Sequence, residues 1–121
     1  MTIPHSPKTA KADVGKIFKI NEKALQQAVI ELAHFYGWRV HHTRAVQLPS
    51  GRWATPVQGD NGFPDLVLVR PPDLIFVELK SAVGRTSPEQ DIWLGMLELA
   101  GAEVHVWRPR DITETKERLK L

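Results

Sequence analysis

Residues 65–80 read DLVLVRPPDLIFVELK. Two apolar runs of strand length, residues 65–70 and 74–80, are separated only by the short Pro-Pro-Asp connection between them. A connection this tight predicts two neighbouring antiparallel strands, with the start of the first opposite the end of the second. Asp65 should therefore lie level with the region from Glu78 to Lys80. The stretch predicts a sheet that brings two carboxylates and one ammonium group together.

These two carboxylates point to a metal site. Acidic groups this close repel each other unless a cation or a proton lies between them. Oxygen ligands of this kind suit Mg²⁺, and a metal held beside a lysine is an arrangement that cleaves phosphodiesters. In an extended strand Glu78 and Lys80 share one face, roughly 7 Å apart. Taken alone, they could also be charged strand-end residues that face water, but the position of Asp65 favours the metal site.

The chain before residue 65 predicts a helix, a strand and an irregular segment. Apolar residues recur at spacings of three and four between Asn21, a capping residue, and Gly37, which can close the helix. Residues 38–43 alternate between apolar and polar side chains, as in a half-buried strand. Prolines and glycines interrupt residues 44–62, which predicts an irregular segment or a short hairpin.

The chain after Lys80 predicts a crossover helix and a further strand. Ser87-Pro88-Glu89-Gln90 has the pattern of a capping box with proline at the first helical position. This helix should end at Gly101, and residues 104–107 form a fourth strand, parallel to the third through a right-handed crossover. A short helix is expected over residues 111–121. The element order predicts an α/β fold with a mixed four-stranded sheet flanked by helices.

Composition bounds the class of protein. The 121 residues are 42% apolar and 25% charged, as in an ordinary globular domain, and they include no cysteine. Disulfides and thiolate metal sites are therefore excluded, and a reducing, intracellular location is expected. Residues 1–18 predict a flexible basic tail, and residues 19–121 a single domain. We expect neither a signal peptide nor a membrane span. The net charge of +2 mildly favours a polyanionic partner.

Several short motifs of this chain resemble those of a known family. Pro64-Asp65, Glu78-Leu79-Lys80 and the upstream Glu22 resemble the PD-(D/E)XK nuclease superfamily. Finer details resemble its VRR-NUC branch: Asn21-Glu22 followed by Gln26 on a helix, Gly37-Trp38, Gly62-Phe63-Pro64-Asp65-Leu66, and Ser87-Pro88-Glu89-Gln90. The resemblance runs from about residue 20 to about residue 112. Residues 44–60 have no matching pattern.

The resemblance implies a restriction-endonuclease-like core and specific roles for the acidic strand residues. Asp65 and Glu78 would hold Mg²⁺ or Mn²⁺, with the backbone carbonyl of Leu79 as a further ligand. Lys80 would hold the attacking water or stabilise charge that develops on the phosphate.

Two helix residues are also implicated by the resemblance. Glu22 resembles the helix-borne acid of the family, which binds a second metal or orients a metal-bound water. Its alternative role is a glutamate favoured by the helix dipole. Gln90 resembles the family glutamine beside the lysine, and its alternative role is only to cap its helix.

The function implied is that of a metal-dependent endonuclease acting on branched DNA, similar to a Holliday-junction resolvase. Such an enzyme must cut two strands, so we expect a homodimer. Stand-alone copies of this domain are similar to phage and bacterial proteins, which implies that this protein acts inside a bacterial or phage-infected cell. The alternatives are a single-site nuclease acting on flaps, ends or single strands, and a nucleic-acid-binding module with an inactive site.

Other side chains give weaker signals. Trp38, Trp93 and Trp107 follow apolar periodicities and are predicted in the core, whereas Trp53, in the long irregular segment, is a candidate for contact with nucleic acid. Most of the five histidines are predicted to be surface or hydrogen-bonded residues. Five arginines flank the predicted site and are candidates for phosphate contacts or for solvated surface charge: Arg39, Arg44, Arg52, Arg70 and Arg85.

Overall fold

The structure is a computed structural model that describes residues 20–43 and 46–121. The predicted tail, residues 1–18, and Arg44 lie outside the described residues. The helices are α1 (Glu22–Phe35), α2 (Pro88–Leu99) and α3 (Ile112–Lys120), with a short 3₁₀ helix (Pro109–Asp111) before α3. The strands are β1 (Arg39–His42), β2 (Val46–Gln47), β3 (Trp53–Ala54), β4 (Leu66–Arg70), β5 (Asp73–Leu79) and β6 (Glu103–Trp107).

Four of these strands form one mixed sheet in the order β1-β4-β5-β6. β1 pairs with β4 and β4 with β5 in antiparallel fashion, whereas β5 and β6 are parallel. The predicted α/β fold, with its tight antiparallel connection and its parallel crossover, is confirmed. β2 and β3 pair with each other as a separate two-stranded sheet. Of the two interpretations of residues 44–62, an irregular segment or a short hairpin, the hairpin is therefore confirmed.

The core lies between α1 and the centre of the sheet. α1 begins at its cap, where the Asn21 Oδ1 accepts a hydrogen bond of 2.7 Å from the Ala24 amide. The helix buries Leu25, Val29 and Ala33, one residue per turn. These side chains belong to one apolar cluster with the inward residues of the two central strands, Leu66, Leu68, Ile75 and Val77. No helix in residues 20–43 and 46–121 is both long and apolar enough to cross a bilayer.

Two of the three tryptophans predicted in the core are buried there. Trp38 and Trp107 are 2% and 1% exposed, and the Trp38 indole donates a 2.8 Å hydrogen bond to the Leu119 carbonyl. Arg70 lies over the Trp38 ring, 4.5 Å from its centroid, and donates to the carbonyls of Tyr36 and Leu119. The suggestion that Arg70 contacts phosphate is therefore wrong, because its guanidinium is engaged in joining α1 to α3.

The prediction that Trp93 lies in the core is also wrong. Trp93 is only half-buried, and α2 has no fully buried residue. Its ring packs edge-to-face against Phe63 at 5.0 Å, and its indole donates to the Asp60 carbonyl at 3.3 Å. The apolar periodicity correctly marks one side of α2, but periodicity does not show whether another element covers that side. Trp93 therefore holds the loop before β4 and does not fill the core.

Candidate active site

Asp65 and Glu78 lie side by side at the end of the sheet where β4 begins and β5 ends. In the antiparallel register Leu66 faces Val77, so the preceding Asp65 lies level with the following Glu78. The Asp65 Oδ2 accepts a 2.8 Å hydrogen bond from the Leu79 amide. This bond crosses from one strand to the next and directs the carboxylate towards the end of β5. The position that the sequence predicted for Asp65 is thus confirmed by the strand pairing.

Glu78 and Lys80 share one face, and both are buried. The Lys80 Nζ lies 3.4 Å from the Glu78 Oε2, with side-chain exposures of 11% and 1%. A charge in such a place is costly unless it is paired and hydrogen-bonded. Within the described residues, the buried Oε1 of Glu78 has no hydrogen-bond partner. One oxygen of this carboxylate is therefore satisfied, and the other is left to receive a proton or a cation.

The electrostatics of Glu78 agree with that geometry. The pKa of Glu78 is raised from 4.5 to about 8, mainly by burial and also by the negative charge of Asp65, against the opposing effect of Lys80. At neutral pH and without a cation, the pair therefore retains a proton. A divalent cation would replace that proton and remove the repulsion between the two acids.

Gln90 joins the crossover helix to this pair. Its Nε2 donates a 2.9 Å hydrogen bond to the Glu78 Oε2. Its Oε1 accepts from the Ser87 amide at 2.9 Å, while the Ser87 Oγ accepts from the Gln90 amide at 3.2 Å. The capping box predicted from sequence is present. The two interpretations of Gln90 are compatible, because one end of the amide caps α2 and the other holds Glu78.

Gly62 brings the loop before β4 against the first turn of α2. Its φ is +97°, a region that favours glycine, and a Cβ there would lie 2.5 Å from the Glu89 carbonyl carbon and 2.8 Å from the Gln90 nitrogen. No side chain larger than hydrogen fits between these two backbones. The close approach sets the position of α2, and so of Gln90, relative to the nearby Asp65.

His42 belongs to the site, although the sequence did not single it out. Its Nε2 lies 2.9 Å from the Gln26 amide nitrogen, and its Nδ1 lies 3.2 Å from the Asp65 carbonyl oxygen. An amide nitrogen only donates, so the Nε2 accepts and the Nδ1 carries the proton that it donates to Asp65. The signal was the alternation of β1, which places His42 on the same side as Trp38 and Val40. The ring links α1 to the backbone of Asp65.

Glu22, the first residue of α1, lies at the surface but within electrostatic range of Lys80 and Asp65. Partial burial raises the pKa of Glu22, the positive charge of Lys80 opposes this shift, and Asp65 adds to it. Among the described residues, however, no three acidic or histidine side chains converge closely enough to hold one metal ion. The structure does not join Glu22 to Asp65 and Glu78 as a third ligand of the same ion.

A cavity of about 400 Å³ opens at Asp65. Its lining includes Thr55 and Val57 in the chain that follows β3, and Ser87 and Gln90 at the start of α2. Asp65, beside Glu78, thus lines a groove and does not lie on a flat surface. Together with the unpartnered Glu78 oxygen, this arrangement fits a divalent metal, because adjacent carboxylates supply the oxygen ligands that Mg²⁺ and Mn²⁺ prefer.

The mixed sheet, its covering helices and the Asp, Glu and Lys at its edge are consistent with a restriction-endonuclease-like nuclease domain. The VRR-NUC domain model matches residues 20–111, so the chain belongs to the VRR-NUC family, a nuclease domain family of the PD-(D/E)XK superfamily. Neither the curated proteins nor the solved structures gave a significant match. Membership of this family indicates a nuclease whose substrate is DNA, and nucleases of this family usually use divalent metals.

The double role of Gln90 can be separated by two substitutions. Ser87→Ala removes the capping hydrogen bond that the Ser87 Oγ accepts and leaves the bond from Gln90 to Glu78 in place. Gln90→Ala removes the other capping bond, donated by the Ser87 amide, together with the bond to Glu78. Each should lower the free energy of unfolding by about 1 kcal/mol, as for the loss of a helix cap. Only Gln90→Ala should also slow DNA cleavage, because only it releases Glu78. Denaturant unfolding and cleavage rates for the two variants check this, and equal rates would show that Gln90 only caps.

The raised pKa of Glu78 predicts an unusual pH dependence of stability. Without metal, the folded protein binds this proton more tightly than the unfolded chain, whose pKa is near 4.5. The stabilisation is therefore complete below pH 4.5 and is lost as pH rises towards about 8. In EDTA, the unfolding temperature should fall between pH 5 and pH 8, and Glu78→Gln should flatten this slope. An unchanged slope in Glu78→Gln, measured by circular dichroism, would contradict the assignment.

Proposed function

We propose that this domain is a metal-dependent DNA endonuclease that hydrolyses phosphodiester bonds in branched DNA, in the manner of a Holliday-junction resolvase. The main support for the proposal is the position of Asp65 beside Glu78, where β4 begins and β5 ends, with the Lys80 ammonium next to the Glu78 carboxylate. Family membership supports the nuclease activity. The groove at Asp65 supplies a path along which a DNA strand can reach these groups.

Each residue has a role that follows from its place. Asp65, Glu78 and the Leu79 backbone carbonyl would hold Mg²⁺ or Mn²⁺, which when bound supplies a Lewis acid for the phosphate oxygens. Lys80 donates hydrogen bonds to the attacking water or to the phosphate oxygen on which charge develops. It is positioned for this because its Nζ is held beside the Glu78 carboxylate.

Two helix residues complete the proposed machinery. Gln90 keeps Glu78 in place through its 2.9 Å hydrogen bond. Glu22 orients a water molecule or a second ion from the start of α1, which is supported by its electrostatic coupling to Lys80 and Asp65. This role does not require Glu22 to bind the first ion.

A cleavage panel tests the activity and its substrate. The protein is incubated with a four-way junction, a flap, a linear duplex and single-stranded DNA, each with Mg²⁺, with Mn²⁺ and with EDTA. We expect paired cuts on the junction that require the metal. Cleavage in EDTA would contradict metal dependence. Single nicks on flaps or single strands, without paired cuts on junctions, would support the single-site alternative, and binding without any cleavage would support an inactive module.

We further propose that the active form is a homodimer, because two strands of a junction must be cut and each chain supplies one predicted site. α2 offers apolar surface for the contact: Ile92, Met96 and Leu99 lie on it and are 61%, 65% and 91% exposed. Side chains of this kind, exposed along one helix, are typical of a surface that binds another protein.

Light scattering at micromolar concentration tests the dimer, alone and with a four-way junction. The expected mass of the protein component, in both samples, is twice the 13.7 kDa of the chain. Met96→Lys should shift it towards the monomer, because it places a charge within the proposed contact. Val83→Lys is the control, since Val83 is 88% exposed but lies in the loop after β5. A monomer under both conditions contradicts the dimer and leaves the nuclease assignment untouched.

A further inference from the structure

We propose that the hairpin formed by β2 and β3 is a base-stacking subsite, in which the indole of Trp53 covers the open face of a nucleobase at a branch point or in an unpaired strand. This inference rests on the proposed function and deepens it. It identifies which feature of the DNA the domain recognises next to the phosphate that it cuts.

The hairpin is held together by its own hydrogen bonds and not by the main sheet. Its two strands pair only with each other among the described strands. At the tip, the Leu48 amide donates to the Arg52 carbonyl at 2.8 Å, and the Gly51 amide donates to the Leu48 carbonyl at 2.8 Å. The Gln47 side chain donates to the Gly51 carbonyl at 3.1 Å. An isolated two-stranded hairpin is marginally stable in water, so this element would gain from a ligand.

Trp53 is the first residue of β3, the second strand of the hairpin, and it is exposed to solvent. The residue is 64% exposed, and no other aromatic ring in the described part of the chain packs against it. Trp38 and Trp107, by contrast, are almost completely buried. A large, rigid aromatic face left in water is the kind of side chain on which bases stack. The neighbouring Arg52 is also exposed and can contact a flanking phosphate.

The location of Trp53 favours DNA as its ligand. Thr55 and Val57, two and four residues further along the chain, line the groove that opens at Asp65. Two residues of extended chain span at most about 7 Å, so Trp53 lies close to this groove. In the proposed complex, a DNA strand whose phosphate reaches Asp65 also passes the nearby hairpin, so that the groove and the indole contact the same DNA molecule.

The chemistry of stacking restricts the DNA structure. Inside a duplex both faces of each base are covered by neighbouring pairs, so an indole can stack only by displacing one of them. At a branch point or in a single strand a face is open, and stacking on an aromatic side chain is favourable without sequence preference. Trp53 should therefore discriminate branched and unpaired DNA from a continuous duplex, while the acidic pair and Lys80 act on the phosphate.

The test compares binding of two DNAs, a splayed-arm substrate with 2-aminopurine at the branch and a continuous duplex with the same label, in Ca²⁺ to keep the DNA intact. Trp53→Leu keeps an apolar side chain but removes the ring, Trp53→Phe keeps a smaller ring, and Phe35→Ala removes another exposed aromatic, 79% accessible at the end of α1. Thermal unfolding establishes that each variant is folded.

We expect Trp53→Leu to weaken binding of the splayed arm by about 5- to 150-fold, the range that corresponds to one stacked base, and to abolish quenching of 2-aminopurine. Binding of the duplex should change by less than about twofold. Trp53→Phe should retain most of both signals, and Phe35→Ala should behave as the parent. Unchanged affinity and quenching in Trp53→Leu, or an equal loss on both DNAs, would overturn the stacking subsite.

The same experiment separates this inference from the proposed function. If the parent binds the splayed arm with quenching that depends on Trp53 but cleaves no DNA in Mg²⁺ or Mn²⁺, the stacking subsite stands and the proposed endonuclease is wrong. If the parent cleaves branched DNA and Trp53→Leu binds and quenches as the parent does, the endonuclease stands and the stacking subsite is wrong.

Discussion

Asp65→Asn and Glu78→Gln are each expected to slow DNA cleavage in Mg²⁺ by about 10³-fold or more. Each removes one of the two carboxylates proposed to hold the metal, and a metal ion contributes several kcal/mol to stabilisation of the transition state. Each 1.36 kcal/mol corresponds to a factor of ten in rate. Asp65→Ala and Glu78→Ala should abolish cleavage in the same way. Rates from single-turnover assays on the preferred DNA measure the effect.

The same variants should remain folded. Without metal, the unfolding temperature should be unchanged or higher, because neutralising one acid relieves the repulsion between Asp65 and Glu78. Asn and Gln also keep an oxygen that can accept the bonds from the Leu79 amide and the Gln90 side chain. Glu31→Gln is the control, since Glu31 is an exposed acid on α1. Activity near that of the parent, from either isosteric variant, would refute the metal site.

Lys80→Ala is expected to reduce the cleavage rate by roughly 10²-fold or more while metal and DNA binding are largely retained. Its proposed action is on the water and on the phosphate charge, and the loss of one preorganised electrostatic contact has about this cost. Removing the ammonium also leaves Glu78 without its opposing charge, so this carboxyl should hold its proton to higher pH in the metal-free protein. Single-turnover rates and isothermal titration with Mg²⁺ separate the two effects.

Lys120→Ala is the matched control, because the Lys120 side chain is 55% exposed and pairs with Glu117 on the surface of α3. It should leave the rate unchanged, since exposed pairs of this kind contribute little. If Lys80→Ala instead lost Mg²⁺ binding and cleaved normally in saturating Mn²⁺, Lys80 would be a structural residue and the proposed chemistry would need another proton donor.

Local chemistry along the chain was sufficient to predict much of the fold and the centre of the site. Apolar runs separated by a tight connection specify antiparallel strands, and antiparallel pairing across that short connection places Asp65 level with the region from Glu78 to Lys80. Side-chain alternation within a strand places Glu78 and Lys80 on one face. The caps at Asn21 and Ser87 depend on residues within three positions of each other, so they can also be predicted from the sequence alone.

Only the tertiary structure decided what depends on the packing of distant elements. The exposure of the apolar side of α2 and the half-buried state of Trp93 depend on whether another element covers that helix. The link from Gln26 through His42 to Asp65 joins three elements whose order in the sequence does not show that they meet. Arg70 is bound to α1 and α3 because both end beside Trp38. Spacing along the chain determines which side of an element is apolar, whereas the partner of that side is determined by how the whole chain packs.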